Sequence, residues 1–265
     1  MSIKKVLVTG AYGLIGGAVY AHLAAHPQAY VPYGLARRRH PSDRAPQEGV
    51  PAIPDERFVR SDLSDLAVLE EAMRGIDVVV HMAADPRMDA PWESLLASNI
   101  VGGRNVLEAA RRAGVGRVVL ASSNTVSWGY WQDEPYTSIY EGRYEDLSPA
   151  DVPPVTHEWP LRPTTPYAAT KIWIEGLGRT YAEAHGLSVL CLRIGWVNAA
   201  DRPHTYPWAR AGWCSQRDVV QIVERSIQAP PSLLFDIFYV LSDNKWNWVD
   251  LDHARQVLGY APHDR

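Results

Sequence analysis

The chain has 265 residues, of which 46% are apolar and 21% charged, enough for one large core but too few for two full-sized domains. Its formal net charge of -4 argues against nucleic acid or an anionic membrane as the main partner. No apolar stretch reaches the roughly 18 residues of a membrane span, and the N-terminus leads into a predicted strand within a few residues. We therefore expect neither a membrane anchor nor a signal peptide.

Residue usage adds two indications. Cys191 and Cys214 are the two cysteines and form no CxxC pair, so we expect no disulfide framework and a location in a reducing cytoplasm. The chain also has ten Trp against three Phe, and twenty-two Arg against four Lys. Both biases require a local explanation.

Short apolar runs alternate with amphipathic segments through the first 194 residues. Buried strands are predicted at Ile3–Thr9, Val31–Leu35, Arg57–Arg60, Asp77–His81, Arg117–Ala121 and Ser188–Ile194. Helical patterns are predicted between them, at Gly13–Ala25, Asp65–Arg74, Pro91–Ala113 and Tyr167–His185. This alternation predicts right-handed βαβ units and an α/β fold with a Rossmann-type doubly wound parallel sheet.

The alternation of strand and helix patterns is less regular after Ile194. We predict a helix near Gln216–Gln228, a strand near Asp236–Leu241 and a helix near Trp248–Leu258. The prediction is a single domain over residues 1–265. Residues 1–194 are mainly the dinucleotide-binding core, and residues 195–265 are mainly a small C-terminal substrate lobe.

Two stretches show neither the strand pattern nor the helical pattern of hydrophobic residues. His40–Asp55 is rich in Pro and charge and is predicted to be a surface loop. Gly129–Pro166 is longer, rich in Pro, carboxylates, Tyr and Trp, and without a clear period. A long irregular stretch within a compact domain is usually a functional loop or a disordered one, and both readings stay open.

Three glycines follow the first predicted strand directly, in the order Gly10-Ala11-Tyr12-Gly13-Leu14-Ile15-Gly16. Glycines at this spacing allow a tight turn, let backbone approach a pyrophosphate, and let the next helix pack on the strand. The N-terminus of that helix offers free N–H groups and the positive end of its dipole to the anion. We assign the turn, including Tyr12, Leu14 and Ile15, to dinucleotide binding. The alternative is a glycine-rich turn without a ligand.

The end of the second strand indicates which dinucleotide is bound. NAD-selective sites usually place an acidic residue there for the ribose 2′-hydroxyl, whereas this strand runs into Arg37, Arg38 and Arg39. Guanidinium groups suit a 2′-phosphate, so we predict a preference for NADP, with NAD as the second choice. A solvated basic turn is the alternative.

Other strand ends complete the predicted cofactor site. Asp62 and Leu63 follow the third strand, where they are placed to contact adenine. Met82, Ala83 and Ala84 follow the fourth strand, where small residues let the backbone lie along the cofactor. Ile194, at the end of the sixth strand, is assigned to the same site.

A Tyr-xxx-Lys motif opens the fourth helical pattern. The i,i+4 spacing places Tyr167 and Lys171 on one helix face, and a nearby ammonium favours the phenolate form of a tyrosine. Ser122 and Ser123 follow the fifth strand, where a hydroxyl can hydrogen-bond the reacting oxygen. These motifs in this order predict acid/base chemistry at a hydroxyl or carbonyl.

Together with the glycine turn, these motifs resemble the short-chain dehydrogenase/reductases of the extended, epimerase/dehydratase-like branch, over nearly the whole chain. In that family the Tyr is the base, the Lys binds the nicotinamide ribose and lowers the Tyr pKa, and a Ser or Thr orients the substrate. The resemblance assigns these roles to Tyr167, Lys171 and Ser123. It also assigns Asn99 to the helix asparagine of the proton relay.

A closer likeness is to uronate dehydrogenases and the related archaeal NAD-dependent glucose-6-phosphate dehydrogenases. The stretches that carry it are Asp85-Pro86-Arg87, Ala90-Pro91-Trp92, Ala121-Ser122-Ser123-Asn124, Arg193-Ile194-Gly195, Trp213-Cys214-Ser215-Gln216-Arg217-Asp218 and Val257-Leu258-Gly259-Tyr260. The resemblance implies oxidation of the anomeric carbon of a pyranose to a lactone.

The chain departs from those relatives at positions that bear on specificity. Arg37 stands where an acidic residue is expected, Thr125 where His is common, and Trp196 where a small polar residue is usual. Uronate specificity therefore does not transfer. The candidate substrate residues are Asn124, Thr125, Trp196, Arg87 and Arg210.

Several conspicuous side chains have plain structural interpretations. His22 and His26 have a metal-compatible i,i+4 spacing but no apparent third ligand, so no metal is predicted. His81 is interpreted as a structural residue at a strand end. Trp92 and Trp173 lie in helical patterns and are predicted to pack in the core.

Most remaining tryptophans fall in loops expected on the ligand side of the sheet. They are Trp128, Trp131, Trp159, Trp196, Trp208 and Trp213. Their rings could stack on a sugar or apolar substrate, cover the long loop, or form a dimer contact.

The predicted protein is an NADP-preferring oxidoreductase that acts on a sugar-like hydroxyl or carbonyl, a small-molecule substrate. The resemblance further implies a homodimer through the two long helices near Pro91–Ala113 and Tyr167–His185. A nucleotide-sugar epimerase or dehydratase ranks second, because the chain after Lys171 is short for the larger lobe of such enzymes. A non-catalytic NADP-binding redox sensor ranks third, because the serine, tyrosine and lysine are all present.

Overall fold

A seven-stranded parallel sheet organises the computed structural model, which describes residues 3–48 and 52–265. Its strands are β1 (Lys4–Thr9), β2 (Tyr30–Ala36), β3 (Phe58–Arg60), β4 (Val78–His81), β5 (Arg117–Ser123), β6 (Ser188–Ile194) and β7 (Phe235–Val240). Their spatial order is β3-β2-β1-β4-β5-β6-β7, and each neighbouring pair is parallel. The strand order reverses between β1 and β4, and sheets of this kind bind ligands at that point.

Helices cover both faces of the sheet. They are α1 (Leu14–Ala24), α2 (Leu66–Ala72), α3 (Trp92–Leu95), α4 (Gly102–Ala113), α5 (Tyr136–Glu141), α6 (Pro166–His185), α7 (Pro207–Ala211), α8 (Gln216–Gln228) and α9 (Asp252–Leu258). Successive residues of β1 enter opposite cores, because side chains alternate along a strand. Val6 and Val8 pack with α1, α8 and α9, whereas Leu7 packs with α2, α4 and α6. The predicted α/β fold class is confirmed.

Two predicted helices differ from the structure. The helix over Pro91–Ala113 is interrupted by a π-helical turn, Leu96–Val101, which lies between α3 and α4. One inserted residue hardly changes hydrophobic periodicity, so the sequence pattern did not reveal it. The predicted helix Trp248–Leu258 begins only at Asp252, and Trp248 is fully buried in the segment before it.

The core predictions for two tryptophans have different outcomes. Trp92 is 55% exposed, so its predicted place in the core is wrong. It is the first residue of the short helix α3, where it projects into solvent. Trp173 is partly buried and packs against the core on the α2, α4 and α6 face.

The Gly129–Pro166 stretch is folded. It starts within a 3-10 helical segment, Asn124–Gln132, and contains α5 and a 3-10 turn, Pro149–Asp151. Val155 pairs with Val249 as an isolated parallel bridge. The stretch, the end of α7, β7 and the residues after β7 form a third apolar core, the aromatic cluster. Its members are Tyr130, Trp131, Tyr136, Ile139, Val152, Val155, Ala211, Tyr239, Leu241, Trp248, Val249 and Leu251.

The other predicted loop, His40–Asp55, includes residues 49–51, which lie outside the described residues. Its described parts lack regular structure until a 3-10 turn, Asp55–Arg57, and they bury Ala45 and Ile53. Both cysteines are buried free thiols. Among the described helices, none combines the length and apolar character that crossing a membrane requires.

Candidate active site

The glycine turn joins β1 to α1 at the switch point of the sheet. Gly10 has a φ of +70°, and a Cβ there would lie 3.0 Å from the backbone nitrogen of Ala83. A Cβ on Gly16 would lie 2.2 Å from the Gly10 carbonyl oxygen. The turn therefore requires glycine for its backbone conformation and for close contact between α1 and β1.

The start of α1 fits the pyrophosphate of a dinucleotide. Among the described residues, no side chain caps its N-terminus at Gly13, and its first turn contains no acidic residue. Its first N–H groups and the positive end of its dipole are thus available to an anion. Tyr12 and Leu14 are buried and Ile15 packs partly against the same core, so these three side chains anchor the turn rather than fill it.

The end of β2 carries the arginines expected to select the cofactor. Arg37 and Arg38 are exposed, whereas Arg39 pairs with Asp55 and donates to the Ile53 carbonyl at 2.8 Å. Hydrogen bonds from Ser64 lower the pKa of Asp62, and the charge of Arg37 adds to this shift. Arg37 and Asp62 therefore lie on the same rim of the sheet.

The segments after β3 and β4 flank the turn. The Leu63 carbonyl accepts a bond from Asn105 at 2.9 Å, and the Leu63 side chain is buried. The Ala83 amide donates to Thr9 Oγ1 at 3.2 Å, which holds the Met82–Ala84 backbone against Gly10. Small residues here leave the backbone open to a cofactor.

His81 has the structural role that its sequence position indicated. Its Nδ1 lies 2.8 Å from Thr9 Oγ1, which joins the ends of β4 and β1. Burial lowers the pKa of His81 to about 3, and the charge of Lys171 contributes. The imidazole is therefore neutral at physiological pH.

The predicted serine, tyrosine and lysine come together beside this turn. Ser123 ends β5, while Tyr167 and Lys171 lie in the first turns of α6, whose N-terminus is capped by the Thr165 hydroxyl. Lys171 Nζ donates to the Ala121 carbonyl at 2.9 Å and lies 5.6 Å from the centre of the Tyr167 ring. Tyr167, Lys171 and Ser123 are all buried.

Burial controls the protonation of this group. It raises the pKa of Tyr167 to about 12, and a hydrogen-bonding interaction with Ser123 opposes the shift. It lowers the pKa of Lys171 to about 8, and the carboxylate of Glu175 opposes that shift. With this raised pKa the phenol is protonated at neutral pH and can donate a proton. It becomes a base only when more positive charge lies beside it.

Asn99 lies in the π-helical turn and is fully hydrogen-bonded. Its Oδ1 accepts from the Asp85 amide at 2.8 Å, and its Nδ2 donates to the Asp85 carbonyl and to Thr170 Oγ1, the latter at 3.0 Å. Thr170 directly precedes Lys171. Asn99 therefore fixes the segment after β4 to the helix that carries the tyrosine and lysine.

Three of the five predicted substrate residues lie around Ser123. Asn124 and Thr125 follow it directly and are buried, and Thr125 donates to Ser123 Oγ from both its amide and its hydroxyl. The Trp196 amide donates to the Gly212 carbonyl at 2.7 Å. A Cβ on Gly212 would lie 3.4 Å from Asn124 Nδ2, so Trp196 and Asn124 meet at this glycine.

The two predicted arginines have other partners. Arg87 forms a two-bond ion pair with Asp85, with Nη2 to Oδ2 at 2.7 Å, and this pairing holds the pKa of Asp85 well below its usual range. Arg210 lines a cavity of about 810 Å³ with Tyr144, Lys245 and Trp246. That cavity has neither Ser123, Tyr167 nor Lys171 among its lining residues.

The loop tryptophans lie in two surroundings, and Trp128 joins them because its ring also packs edge to face on Trp208 with centres 5.7 Å apart. Trp131 belongs to the aromatic cluster, and Trp128 and Trp159 pack against it, so these rings cover the long loop. Trp196 and Trp208 pack edge to face with ring centres 5.4 Å apart, next to the Asn124 segment.

A buried ion pair between Glu175 and Arg193 was missed as part of the site. Glu175 lies one helical turn beyond Lys171, and Arg193 lies in β6 directly before Ile194, which ends that strand beside the site. The signal was present in the sequence, since Arg within the apolar run of a buried strand requires a buried partner. Which residue is the partner depends on how α6 packs on β6, so spacing in the sequence does not identify Glu175.

Within the described part of the chain, one group of side chains has metal-ligand character: His157, Asp236 and His253. His253 pairs with Asp236 at 2.9 Å, and its ring stacks on that of His157 with centres 4.2 Å apart and planes 21° apart. Two rings stacked face to face cannot both direct a nitrogen at one ion. The contacts of this group are a hydrogen bond between His253 and Asp236 and a ring stack between His253 and His157.

The parallel sheet, the glycine turn at its switch point and the Ser123, Tyr167 and Lys171 arrangement define a Rossmann-type short-chain dehydrogenase/reductase. The model of the NAD dependent epimerase/dehydratase family matches residues 6–207. The chain therefore belongs to this family, and the predicted recognition is confirmed.

Relatives that match this chain over most of their own length include sugar dehydrogenases. An NAD-dependent glucose-6-phosphate dehydrogenase of Haloferax volcanii is 34% identical, with 98% of this chain and 94% of that protein covered. An L-arabinose 1-dehydrogenase (NAD(P)(+)) of the same organism is 33% identical, with 99% and 97% covered. A uronate dehydrogenase of Pseudomonas putida is 30% identical, with 98% and 84% covered.

Solved structures show the same relation. A mutant uronate dehydrogenase from Agrobacterium tumefaciens complexed with NAD superposes with a TM-score of 0.77 at 29% identity. The match covers 99% of this chain and 86% of that chain. The architecture described above is thus shared with an enzyme whose structure contains NAD.

Proposed function

We propose that this protein is an NAD(P)-dependent dehydrogenase that oxidises a hydroxyl of a sugar-like substrate, or reduces the matching carbonyl. The observation that carries the proposal is the placement of Ser123, Tyr167 and Lys171 beside a glycine turn that fits a pyrophosphate. The sugar dehydrogenases among the relatives support it, because the match spans nearly their whole length. We also propose that residues 195–265 act mainly as the substrate lobe.

Each member of the site has a distinct role in this proposal. The bound nicotinamide supplies the acceptor or donor of the hydride. Tyr167 takes the proton from the substrate hydroxyl during oxidation and returns it during reduction. Ser123 holds the reacting oxygen, and Lys171 stabilises the phenolate and binds the ribose. Asn99 contributes to the proton relay through the segment that it fixes.

The proton step gives the main test, in which turnover is measured over free sugars, uronates and sugar phosphates with NAD and NADP. Tyr167→Phe removes the acid/base group, so we expect turnover to fall by about 100-fold to 10,000-fold while cofactor binding stays unchanged. Tyr181→Phe is the matched control, because Tyr181 lies on the same helix, is equally buried and donates to Glu108 away from the site. Unchanged turnover in Tyr167→Phe would refute the assignment.

We propose further that NADP is preferred over NAD. Arg37 and Arg38 are exposed at the end of β2, where a 2′-phosphate would lie, and Arg39 is already engaged with Asp55. The sequence at this strand end offers no carboxylate to bind a ribose 2′-hydroxyl.

The cofactor preference is tested by Arg37→Asp. Losing one charged hydrogen-bond donor and adding a repulsive carboxylate should lower the ratio of kcat/KM for NADP over NAD by about 10-fold to 100-fold. Arg74→Asp, an exposed arginine on another part of the surface, should leave the ratio unchanged. A wild-type enzyme that already favours NAD would overturn the proposed preference.

The expected homodimer and cytoplasmic location remain proposals. Trp92, Leu96 and Val101 are exposed apolar side chains along the first of the two long helices, which supports an interface there. The free thiols of Cys191 and Cys214 support a reducing compartment.

A further inference from the structure

The Glu175–Arg193 ion pair is the centre of a buried polar network under the active site. Arg193 binds Glu175 through two parallel bonds, Nε to Oε1 and Nη2 to Oε2, each 2.9 Å long. The side chain of Glu175 is 4% exposed and that of Arg193 is 2% exposed. Burial alone would lower the pKa of Arg193, but its bonds to Glu175 outweigh that effect and the pKa is raised. Arg193 is therefore charged.

The network reaches the segments that carry Ser123, Tyr167 and Lys171. Glu175 Oε1 accepts a 2.5 Å bond from the Ser122 hydroxyl, the residue before Ser123. Arg193 Nη1 donates to the Tyr239 hydroxyl at 3.1 Å, and Tyr239 bonds Ser127 Oγ at 2.5 Å. The network thus joins α6, the end of β5, β6 and the 3-10 segment that follows Ser123.

Glu175 also controls the charge environment of Lys171. From α6 itself, Lys171 is faced by Tyr167 and Glu175, and from β4 by His81, which is neutral. From β5 it receives the Ala121 carbonyl dipole, and from β6 the charge of Arg193 is paired with Glu175. Glu175 is therefore the negative charge that favours the ammonium form of Lys171 against the effect of burial.

We propose that Glu175, held by Arg193, is a positioning residue of the active site: its carboxylate lies one helical turn beyond Lys171, ties the Ser123 strand to the Tyr167 helix through Ser122, and supplies the negative charge next to Lys171. The consequence for catalysis rests on the proposed function, since it requires that Lys171 support Tyr167. The electrostatic part does not, because it concerns Lys171 alone. Glu175 touches neither substrate nor cofactor in this account, and it acts through its neighbours.

The direct test is an NMR pH titration of lysine labelled with 13C at Cε. The chain has only four lysines, so the Lys171 signal can be assigned by its disappearance in Lys171→Arg. Glu175→Gln keeps the size of the side chain and removes its charge. We expect the pKa of Lys171 to fall by about one pH unit or more.

Glu108→Gln is the matched control. Glu108 is a similarly buried carboxylate that accepts bonds from Arg111, Arg112 and Tyr181 on the outer side of α4 and α6. Its loss should destabilise the fold but leave the titration of Lys171 unchanged. The double variant Glu175→Gln with Arg193→Gln removes both buried charges, so it should recover thermal stability lost in the single variant.

The double variant separates electrostatics from structure. It still lacks the carboxylate, so the pKa of Lys171 should stay lowered even where Tm recovers. It also carries the test if Glu175→Gln alone fails to fold. A Lys171 titration that is the same in wild type, Glu175→Gln and the double variant would overturn the proposal.

Activity measurements address the catalytic consequence. In Glu175→Gln, the alkaline limit of kcat/KM should move to lower pH, because Lys171 loses its proton earlier. Glu108→Gln should keep the wild-type limit. If wild type turns over no sugar, the proposed function fails, and the NMR titration still decides the role of Glu175.

Discussion

The glycine turn and the aromatic cluster are constructed in opposite ways. The turn depends on missing side chains: Gly16 packs against the Gly10 carbonyl within seven consecutive residues, and Gly10 packs against the Ala83 backbone. The cluster depends on large side chains, such as Trp131 and Trp248 with ring centres 4.3 Å apart, from segments more than 100 residues apart. The difference explains why spacing in the sequence predicts the turn, whereas only the folded structure reveals the cluster.

The variant expected to lose the most stability is Trp248→Ala, in the aromatic cluster. Trp248 is fully buried, so its truncation should cost about 3–5 kcal/mol in the free energy of unfolding, measured by urea denaturation. The affinity for NADP should change little, because the cluster does not form the glycine turn. Leu234→Ala, at a side chain that is 46% exposed, should stay within about 0.5 kcal/mol of wild type. A loss of cofactor affinity in folded Trp248→Ala would show that the two regions are coupled.

A smaller effect on stability, but a larger one on binding, is expected for Gly16→Ala. The added Cβ would meet the Gly10 carbonyl oxygen at 2.2 Å, so the turn must shift, at a cost of about 1–3 kcal/mol. Titration with NADP should show at least a 10-fold loss of affinity. The neighbouring change Gly17→Ala meets only an ordinary contact of 3.5 Å and should be neutral or slightly stabilising. Equal affinities in the two variants would contradict the assigned role of the turn.

Local patterns predicted the features that depend on local geometry. The i,i+4 pair Tyr167 and Lys171, the serine after β5 and the glycine turn follow from strand and helix periods, and the structure brings them together. The parallel sheet follows from strand–helix alternation. The π-helical turn around Asn99 was not predicted, because one extra residue leaves the hydrophobic period almost unchanged.

Tertiary partners could not be predicted in the same way. Arg87 and Arg210 were chosen for their charge, but the structure pairs one with Asp85 and places the other in a separate cavity. Trp92 has a helical position, yet nothing in its period shows that it starts the helix in solvent. Glu175 and Arg193 are 18 residues apart, and their pairing depends on how α6 packs on β6.

The central claim is that Tyr167 serves a dehydrogenase that releases reduced cofactor. The most direct measurement is the ratio of NAD(P)H formed to sugar consumed, followed by the absorbance of the reduced nicotinamide and by chromatography of the sugar. We expect one NAD(P)H for each sugar oxidised in wild type, and at least about 100-fold less of both products in Tyr167→Phe. Conversion of a sugar without net formation of NAD(P)H would contradict this expectation and would indicate an epimerase or dehydratase that regenerates its cofactor.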